Sequence, residues 1–179
     1  GDLPKFYIHS MTNKANTSCI AAFFIIALCC GRSPDTKNEN QPDWLSMPES
    51  ELLDYTQRET FKYFWDLAEP NSRMALERYH PEGIYPLNDK HIVTTGGSGF
   101  GTMAILVGIE RGFITRDEGI ERLHRIVGFL KTADRFHGVW PQWLNGETGK
   151  VKPFNRMDDG VDLVETSFLI QGLLCVRQY

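Results

Sequence analysis

Apolar positions in the second half of the chain recur at helical spacing, with no sustained alternation of the strand type. Leu53, Thr56, Phe61, Phe64, Trp65 and Ala68 outline a first helix. It opens at a capping-box pattern, Ser46-Met-Pro-Glu49, and is expected to end at Pro70. A second helix is expected from Phe100 to Arg111, stopped by Gly112. Thr115-Arg-Asp-Glu118 is another capping box. It opens a third helix with Ile120, Leu123, Ile126, Val127 and Leu130 on one stripe. A fourth is expected from near Asp159 to the end, its apolar face carrying Val161, Val164, Phe168 and Leu169. Between the helices lie two long irregular stretches. Residues 70–97 hold Pro70, Pro81, Gly83, Pro86 and Gly96-Gly97, and residues 137–157 hold Gly138, Pro141, Asn145-Gly146, Gly149 and Pro153. Connections of that length usually line a functional site, and Asn-Gly between apolar residues signals a hairpin. The pattern therefore predicts an all-α fold with long loops.

The first 43 residues read as an address rather than as part of that fold. After Met11 and the lone Lys14 comes Cys19–Cys30, twelve residues without a charge. A bilayer span needs about 20 apolar residues, so this run fits a secretory signal peptide. It ends in Ala27-Leu28-Cys29-Cys30-Gly31, which resembles a bacterial lipobox with Cys30 (or Cys29) as the lipidated residue. A plain signal peptide or a buried core strand is the alternative. The expected order is an upstream extension over 1–10, a lipoprotein-type signal over 11–30, a polar tether over 31–43 and the domain over 44–179. The expected location is the bacterial cell envelope, with a lipid anchor in the membrane. Three of the four cysteines fall in the leader, and Cys175 is expected to be a buried, unpaired thiol.

Composition narrows the function. The chain is 41% hydrophobic and 23% charged, ordinary for a globular protein. A net charge of −4 argues against a broad grip on nucleic acid. The stretch Thr94-Thr95-Gly96-Gly97-Ser98-Gly99-Phe100-Gly101 lacks the GK[ST] ending and the preceding strand of a nucleotide loop. It reads instead as a tight turn that brings backbone close to a partner or ligand. His80, His91, His124 and His137 show no metal spacing, and His124, between Arg122 and Arg125, is expected to face solvent. No G-x-S-x-G elbow or thiol nucleophile is present. Neither a nucleotide nor another cofactor is expected.

Two groups of residues carry chemistry. In Met157-Asp-Asp-Gly-Val-Asp-Leu-Val-Glu165, the acids Asp158, Asp162 and Glu165 stand at i, i+4 and i+7. On a helix they would point about 40° and −20° from the first, one narrow face. No basic residue occurs from Gly160 to Val176 to neutralise them. Such acids suit a cleft, where mutual repulsion can keep one carboxyl protonated as a general acid. With loop carbonyls they could instead hold Ca²⁺, and acids at a helix start are also favoured by its dipole. No metal is assigned. The second group is Phe136-His137-Gly138-Val139-Trp140-Pro141-Gln142-Trp143-Leu144-Asn145-Gly146-Glu147. Trp140 and Trp143 offer flat faces for sugar C–H groups, and His137, Asn145 and Glu147 offer partners for hydroxyls. Each Trp could equally anchor its loop to the core.

Four strings, LLDYTQRETFKYFWDLAEP, VTTGGSGFGTMAILVGIERGFITRDEG, ADRFHGVWPQWLNGETG and DDGVDLVETSFLIQGLL, carry a family resemblance over about residues 48–179. The chain resembles the glucoamylase-like domain of bacterial glycosidases, and most closely glycoside hydrolase family 144, the endo-β-1,2-glucanases. The resemblance implies the N-terminal part of an (α/α)₆ toroid, with an acidic cleft lined by interhelix loops. It implies inverting hydrolysis of β-1,2-glucan, an oligo- or polysaccharide substrate. It places Asp158, Asp162 and Glu165 in the family's acidic cluster, and Trp140, Trp143, Asn145 and Glu147 in a loop facing it. Another acidic residue important in the family lies beyond Tyr179. Val161 stands where the family often has Gly. An inverting pair sits about 6.5–9.5 Å apart, so one of these acids with a carboxyl from a later helix is the natural pair. Rival readings are a glycan-binding surface lipoprotein without catalysis, and the same fold acting on an α-glucan. A segment of such a toroid is expected to be inactive by itself.

Overall fold

The computed structural model describes residues 43–153, 155–157 and 159–179. Cys29, Cys30 and Asp158 lie outside the described residues. Residues Trp44–Tyr179 form one compact unit. In chain order its elements are α1 (Glu49–Trp65), β1 (Ile92–Thr94), α2 (Thr95–Glu110), α3 (Arg116–Thr132), β2 (Trp143–Asn145) and α4 (Leu163–Gln178). None of the described helices is long and apolar enough to cross a membrane.

The helix starts separate capping chemistry that works from chemistry that only looks right. At α3 the box is complete: Thr115 accepts from the Glu118 amide, and the Glu118 carboxylate takes the Thr115 amide at 2.8 Å. At α1 the expected box is absent. The N-cap is Pro48, with no side-chain cap, and Glu49 is the first helical residue. Proline's fixed φ suits that position without any side-chain bond. The helix also stops at Trp65, before Pro70, and the chain then turns through Glu69 and Asn71.

The largest departure from the sequence pattern is α2. The glycine-rich segment expected to be a tight turn is its first two turns. Glycine is a poor helix former, costing about 1 kcal/mol per residue against Ala. Packing outweighs this penalty. Gly99 lies against the backbone of Phe168 and Leu169 in α4, and a Cβ on Gly172 would collide with the Gly99 carbonyl and the Thr102 hydroxyl. Only residues without a side chain let the two backbones approach so closely. Burial on α4 follows this row, through Thr166, Leu169 and Gly172. Val164 and Phe168, expected on the core side, are exposed together with Phe100 and Val107 of α2. Cys175 stands off the buried row and is exposed rather than buried. On α3 the buried stripe is Gly119, Leu123, Ile126 and Leu130, and Ile120 turns outward.

The loops contribute short strands that the helical period could not announce. β1 and β2 pair antiparallel, with Thr94 opposite Trp143, Val93 opposite Leu144 and Ile92 opposite Asn145. Val93 and Leu144 are fully buried, and they join Met74, Ile105, Leu130 and Leu169 in one core. The tightest hairpin is centred on His137-Gly138, both at positive φ (50° and 85°), between paired Phe136 and Val139. Two successive residues with positive φ make the I′-type turn that matches strand twist. The Asn145-Gly146 signal marks a wider turn. Leu144 bridges to Val151 across it, and the Asn145 amide oxygen accepts from the Glu147 and Thr148 amides at 3.0 and 2.9 Å.

Two glycine substitutions on helices should move stability in opposite directions. Gly172→Ala is expected to lower the unfolding free energy of residues 44–179 by about 1–3 kcal/mol, the usual cost of overpacking. Gly128→Ala, in the interior of α3 with open space around it, is expected to raise it by about 0.5–1 kcal/mol. Urea titrations followed by circular dichroism read both.

Candidate active site

The acidic residues gather at the start of α4, but not as a helical face. Asp162 is the N-cap, with extended backbone (φ −124°, ψ 116°). Its Oδ1 accepts the Val164 amide at 2.8 Å and the Glu165 amide at 2.9 Å. Asp is among the strongest N-cap residues because a short carboxylate can take the free amides of the first turn. Helical angles therefore apply to Glu165 and not to Asp162, so Asp162 and Glu165 do not share the expected helical face. Among the described residues, Asp162 Oδ2 has no hydrogen-bond partner.

Glu165 points from the first turn of α4 to the first turn of α2. Its Oε2 accepts the Gly96 amide at 2.8 Å and the Thr94 hydroxyl at 3.3 Å. The Cβ of any other residue at position 96 would lie 2.5 Å from that oxygen. The glycine run thus brings backbone close to a carboxylate, as a turn was expected to do, but it does so as the N-terminus of a helix. Free amides and the helix dipole at that end favour a negative group. A small recess of about 50 Å³ opens beside Asp162, lined by Pro141, Gln142, Trp143, Lys152, Gly160 and Val161.

Of the expected sugar-binding residues, Trp143 is placed with the acids. It is half-buried in β2 and lines the Asp162 recess. Trp140 is 8% exposed, is part of the core, and its indole N–H reaches the Leu130 carbonyl at 3.4 Å. It anchors the loop: its amide donates to the Thr166 hydroxyl at 2.9 Å, and its carbonyl accepts the Asp162 amide at 2.9 Å. The correction has a plain cause. Buried against α3 in the core, the indole contributes more to packing than it could as an exposed platform. Asn145 has its amide oxygen committed to its own turn. His137 sits exposed at the tip of the tight hairpin, its ring edge-on to Phe136 at 4.1 Å.

Glu147 belongs to an arrangement the sequence did not signal. Its Oε1 lies 3.8 Å from His91 Nε2, and His91 Nδ1 is 3.1 Å from Glu69 Oε1. Glu69 is fully buried. Its carboxylate also accepts the Ser72 amide (2.7 Å), the Ser72 hydroxyl (2.8 Å), the Asn71 amide (3.0 Å) and the Asn71 side chain (3.1 Å). Burial is the largest influence on this carboxyl and alone would raise its pKa. The bonds from Ser72, His91 and Asn71 together outweigh it and hold the group below the usual range. The sequence cue was a Glu followed by Pro-Asn-Ser, which supplies donors within three residues, but nothing in it announced His91 as a partner. Among the described residues, no three His, Cys, Asp or Glu side chains gather as a metal site.

The helices and the two-stranded ladder match part of the glucoamylase-like α/α toroid fold. Solved relatives agree with it. An endo-β-1,2-glucanase from Chitinophaga pinensis, in complex with sophorotriose and glucose, is 64% identical and superposes with a TM-score of 0.74, over 75% of this chain and 32% of that one. A β-1,2-glucanase from Parabacteroides distasonis is 49% identical with a TM-score of 0.67, over 74% of this chain and 18% of that one. A curated relative from the same organism, an exo β-1,2-glucooligosaccharide sophorohydrolase acting at the non-reducing end, is 52% identical over 134 residues, 74% of this chain. No family model matches the chain. Its relatives thus include β-1,2-glucan hydrolases, of which it spans between about a fifth and a third of the length.

The lowered Glu69 carboxyl makes stability depend on acid. Its contribution is complete above the ordinary glutamate value of 4.5 and is lost as pH falls through the lowered folded value. Wild-type melting temperature should therefore fall as pH drops below about 5. Glu69→Gln should cost about 1–3 kcal/mol at pH 7 and flatten that acid limb. Thermal melts between pH 3 and pH 7 compare the two.

Proposed function

We propose that the protein carrying this chain hydrolyses β-1,2-glucan by inverting acid/base chemistry, and that this segment supplies Asp162 and Glu165 to its active site. The observation that carries the reading is the placing of Asp162 and Trp143 on one recess, with Glu165 in the same helical turn as Asp162, in a chain 49–64% identical to β-1,2-glucan hydrolases of known structure.

The chemistry follows from where the acids sit. Asp162 and Glu165 share one turn, because Asp162 accepts the Glu165 amide. A water and a glycosidic oxygen attacked from opposite faces need carboxyls about 6.5–9.5 Å apart. The second reacting carboxyl therefore comes from another element, and the two acids here divide their work differently. Glu165, fixed by the Gly96 amide and the Thr94 hydroxyl, has one settled orientation. Asp162 keeps Oδ2 for a sugar hydroxyl or for the attacking water. Trp143 supplies an apolar wall against which a pyranose ring can lie. A role for Asp158 in the acidic cluster rests on the sequence alone.

Asp162→Asn separates chemistry from folding, since Asn caps a helix as well as Asp does. In the full-length protein it should leave the melting temperature within a degree or two and lower kcat on β-1,2-glucan by at least about a hundredfold. Glu165→Gln, which retains an acceptor for the Gly96 amide, should do the same. The first product released should carry the inverted anomeric configuration by proton NMR. Activity retained in Asp162→Asn would remove that residue from the mechanism. Binding of glucan without products from the wild type would favour a capture protein instead, and a panel of α- and β-glucans would expose a different linkage.

We also propose that the protein is exported and lipid-anchored through Cys30. The support is the lipobox-like Ala27-Leu28-Cys29-Cys30-Gly31 after an uncharged run. Cells fed radiolabelled palmitate should label the wild type and not Cys30→Ser. Label lost only in Cys29→Ser would move the site by one residue.

A further inference from the structure

The Asp162 recess shares lining residues with two larger hollows. On one side it shares Pro141, Gly160 and Val161 with a hollow of about 340 Å³ that also holds Phe136 and Asp134. On the other it shares Trp143 and Lys152 with a hollow of about 280 Å³ reaching Glu77, Arg78 and Asp89. Sites for drug-sized molecules run from about 300 to 1,000 Å³, so the second hollow has room for little more than one sugar ring.

Its lining has a specific chemistry. Two acids, Glu77 and Asp89, stand against two bases, Arg78 and Lys152. The opposed charges balance, which suits a neutral ligand rich in hydroxyls better than an anion or a cation. The polar groups are also held in place. Arg78 forks onto Glu77 (Nε to Oε2 2.5 Å, Nη2 to Oε1 2.9 Å), and its Nε is 3.5 Å from Asp89 Oδ2. A guanidinium has five N–H donors, so three remain after the Glu77 fork. Asp89 is only 7% exposed, yet its Oδ1 accepts no hydrogen bond from any described group. A buried acceptor without a donor is costly, about 1–3 kcal/mol. Rotation about the last Asp torsion is soft enough to turn it toward a donor entering the hollow. His80 Nε2, at 3.6 Å from Asp89 Oδ2, makes no hydrogen bond and adds a second polar atom behind the wall. The indole of Trp143 provides the one aromatic wall.

We propose that this hollow is a glucosyl-binding subsite beside the Asp162 recess, in which Arg78 and Asp89 bind hydroxyls of the sugar unit that lies past Trp143. The proposal rests on the reading of the chain as part of a β-1,2-glucan hydrolase. It makes Arg78 and Asp89 determinants of chain-length preference and leaves the reacting bond to the acids of α4.

The test is kinetics of the full-length protein on sophoro-oligosaccharides of increasing length. Arg78→Ala, with its melting temperature compared with that of the wild type, should raise KM about tenfold for chains long enough to fill the hollow. kcat should stay within about twofold, and the shortest cleaved oligosaccharide should be unaffected. Asp89→Asn should act in the same direction. Equal losses at every length, or no change at any length, would overturn the subsite. If the wild type cleaves no β-1,2-glucan, the functional reading fails by itself. The hollow is then judged by calorimetric titration with neutral gluco-oligosaccharides. Binding that Arg78→Ala weakens about tenfold would sustain it, and wild type that binds none of them would overturn it.

Discussion

The close crossing of α2 and α4 is the constraint from which the rest of the site follows. Gly99 and Gly172 remove the side chains that would keep two helices at ordinary separation. Their backbones meet, and the first turns of both helices are drawn to the same end of the unit. Only then can the Glu165 carboxylate reach the Gly96 amide, and only then does the Asp162 cap stand beside the β1–β2 ladder. Glycines that weaken α2 as an isolated helix are the ones that make it usable here. A helix stabilised by propensity alone would use Ala at these places and could not approach α4.

The ladder and its neighbouring turns form a second level of support. Thr94 joins both: it pairs with Trp143 across the ladder, and its hydroxyl donates to Glu165. Ser98 reinforces the arrangement by taking the Ala75 amide at 3.0 Å and donating to the Thr94 carbonyl at 2.6 Å. Glu69 fastens the turn at residues 69–74 and holds His91. The His91 carbonyl in turn accepts the Gly146 amide at 2.7 Å, which ties the Asn145–Gly149 turn to the earlier loop. A fully buried carboxylate is tolerable there because five donors surround it. The wall that carries Trp143 is therefore supported by polar bonds from behind.

Much of this was legible in the linear pattern. The four helices fall near the positions the period announced, and the capping box at Thr115 forms as written. The acidic segment, the aromatic loop and the family resemblance together drew attention to Asp162, Glu165 and Trp143, of which Asp162 and Trp143 line one recess. Other features read wrongly for identifiable reasons. Asp162 was placed on a helix face because the period continues through it, whereas its carboxylate prefers the cap. Trp140 and Trp143 look alike three residues apart, and only the tertiary packing puts one in the core and the other, at the start of β2, on a recess. Residues 95–101 read as a turn because glycine's local preference was weighed without knowledge of α4.

What the sequence by itself determined was local. It set the period of the helices, the caps at Thr115 and Asp162, the turns at His137-Gly138 and Asn145-Gly146, and the acids available for chemistry. These depend on side chains within a few residues of one another, so the chain carries them wherever it goes. Tertiary structure decided which of those residues share a space. Glu69 with His91, Thr94 and Gly96 with Glu165, and Arg78 with Asp89 beside Trp143 are separated by between 11 and 71 positions. Their meeting depends on how closely two helices can cross and where a three-residue ladder pairs. Both are settled by packing across the whole unit, and no local pattern records them.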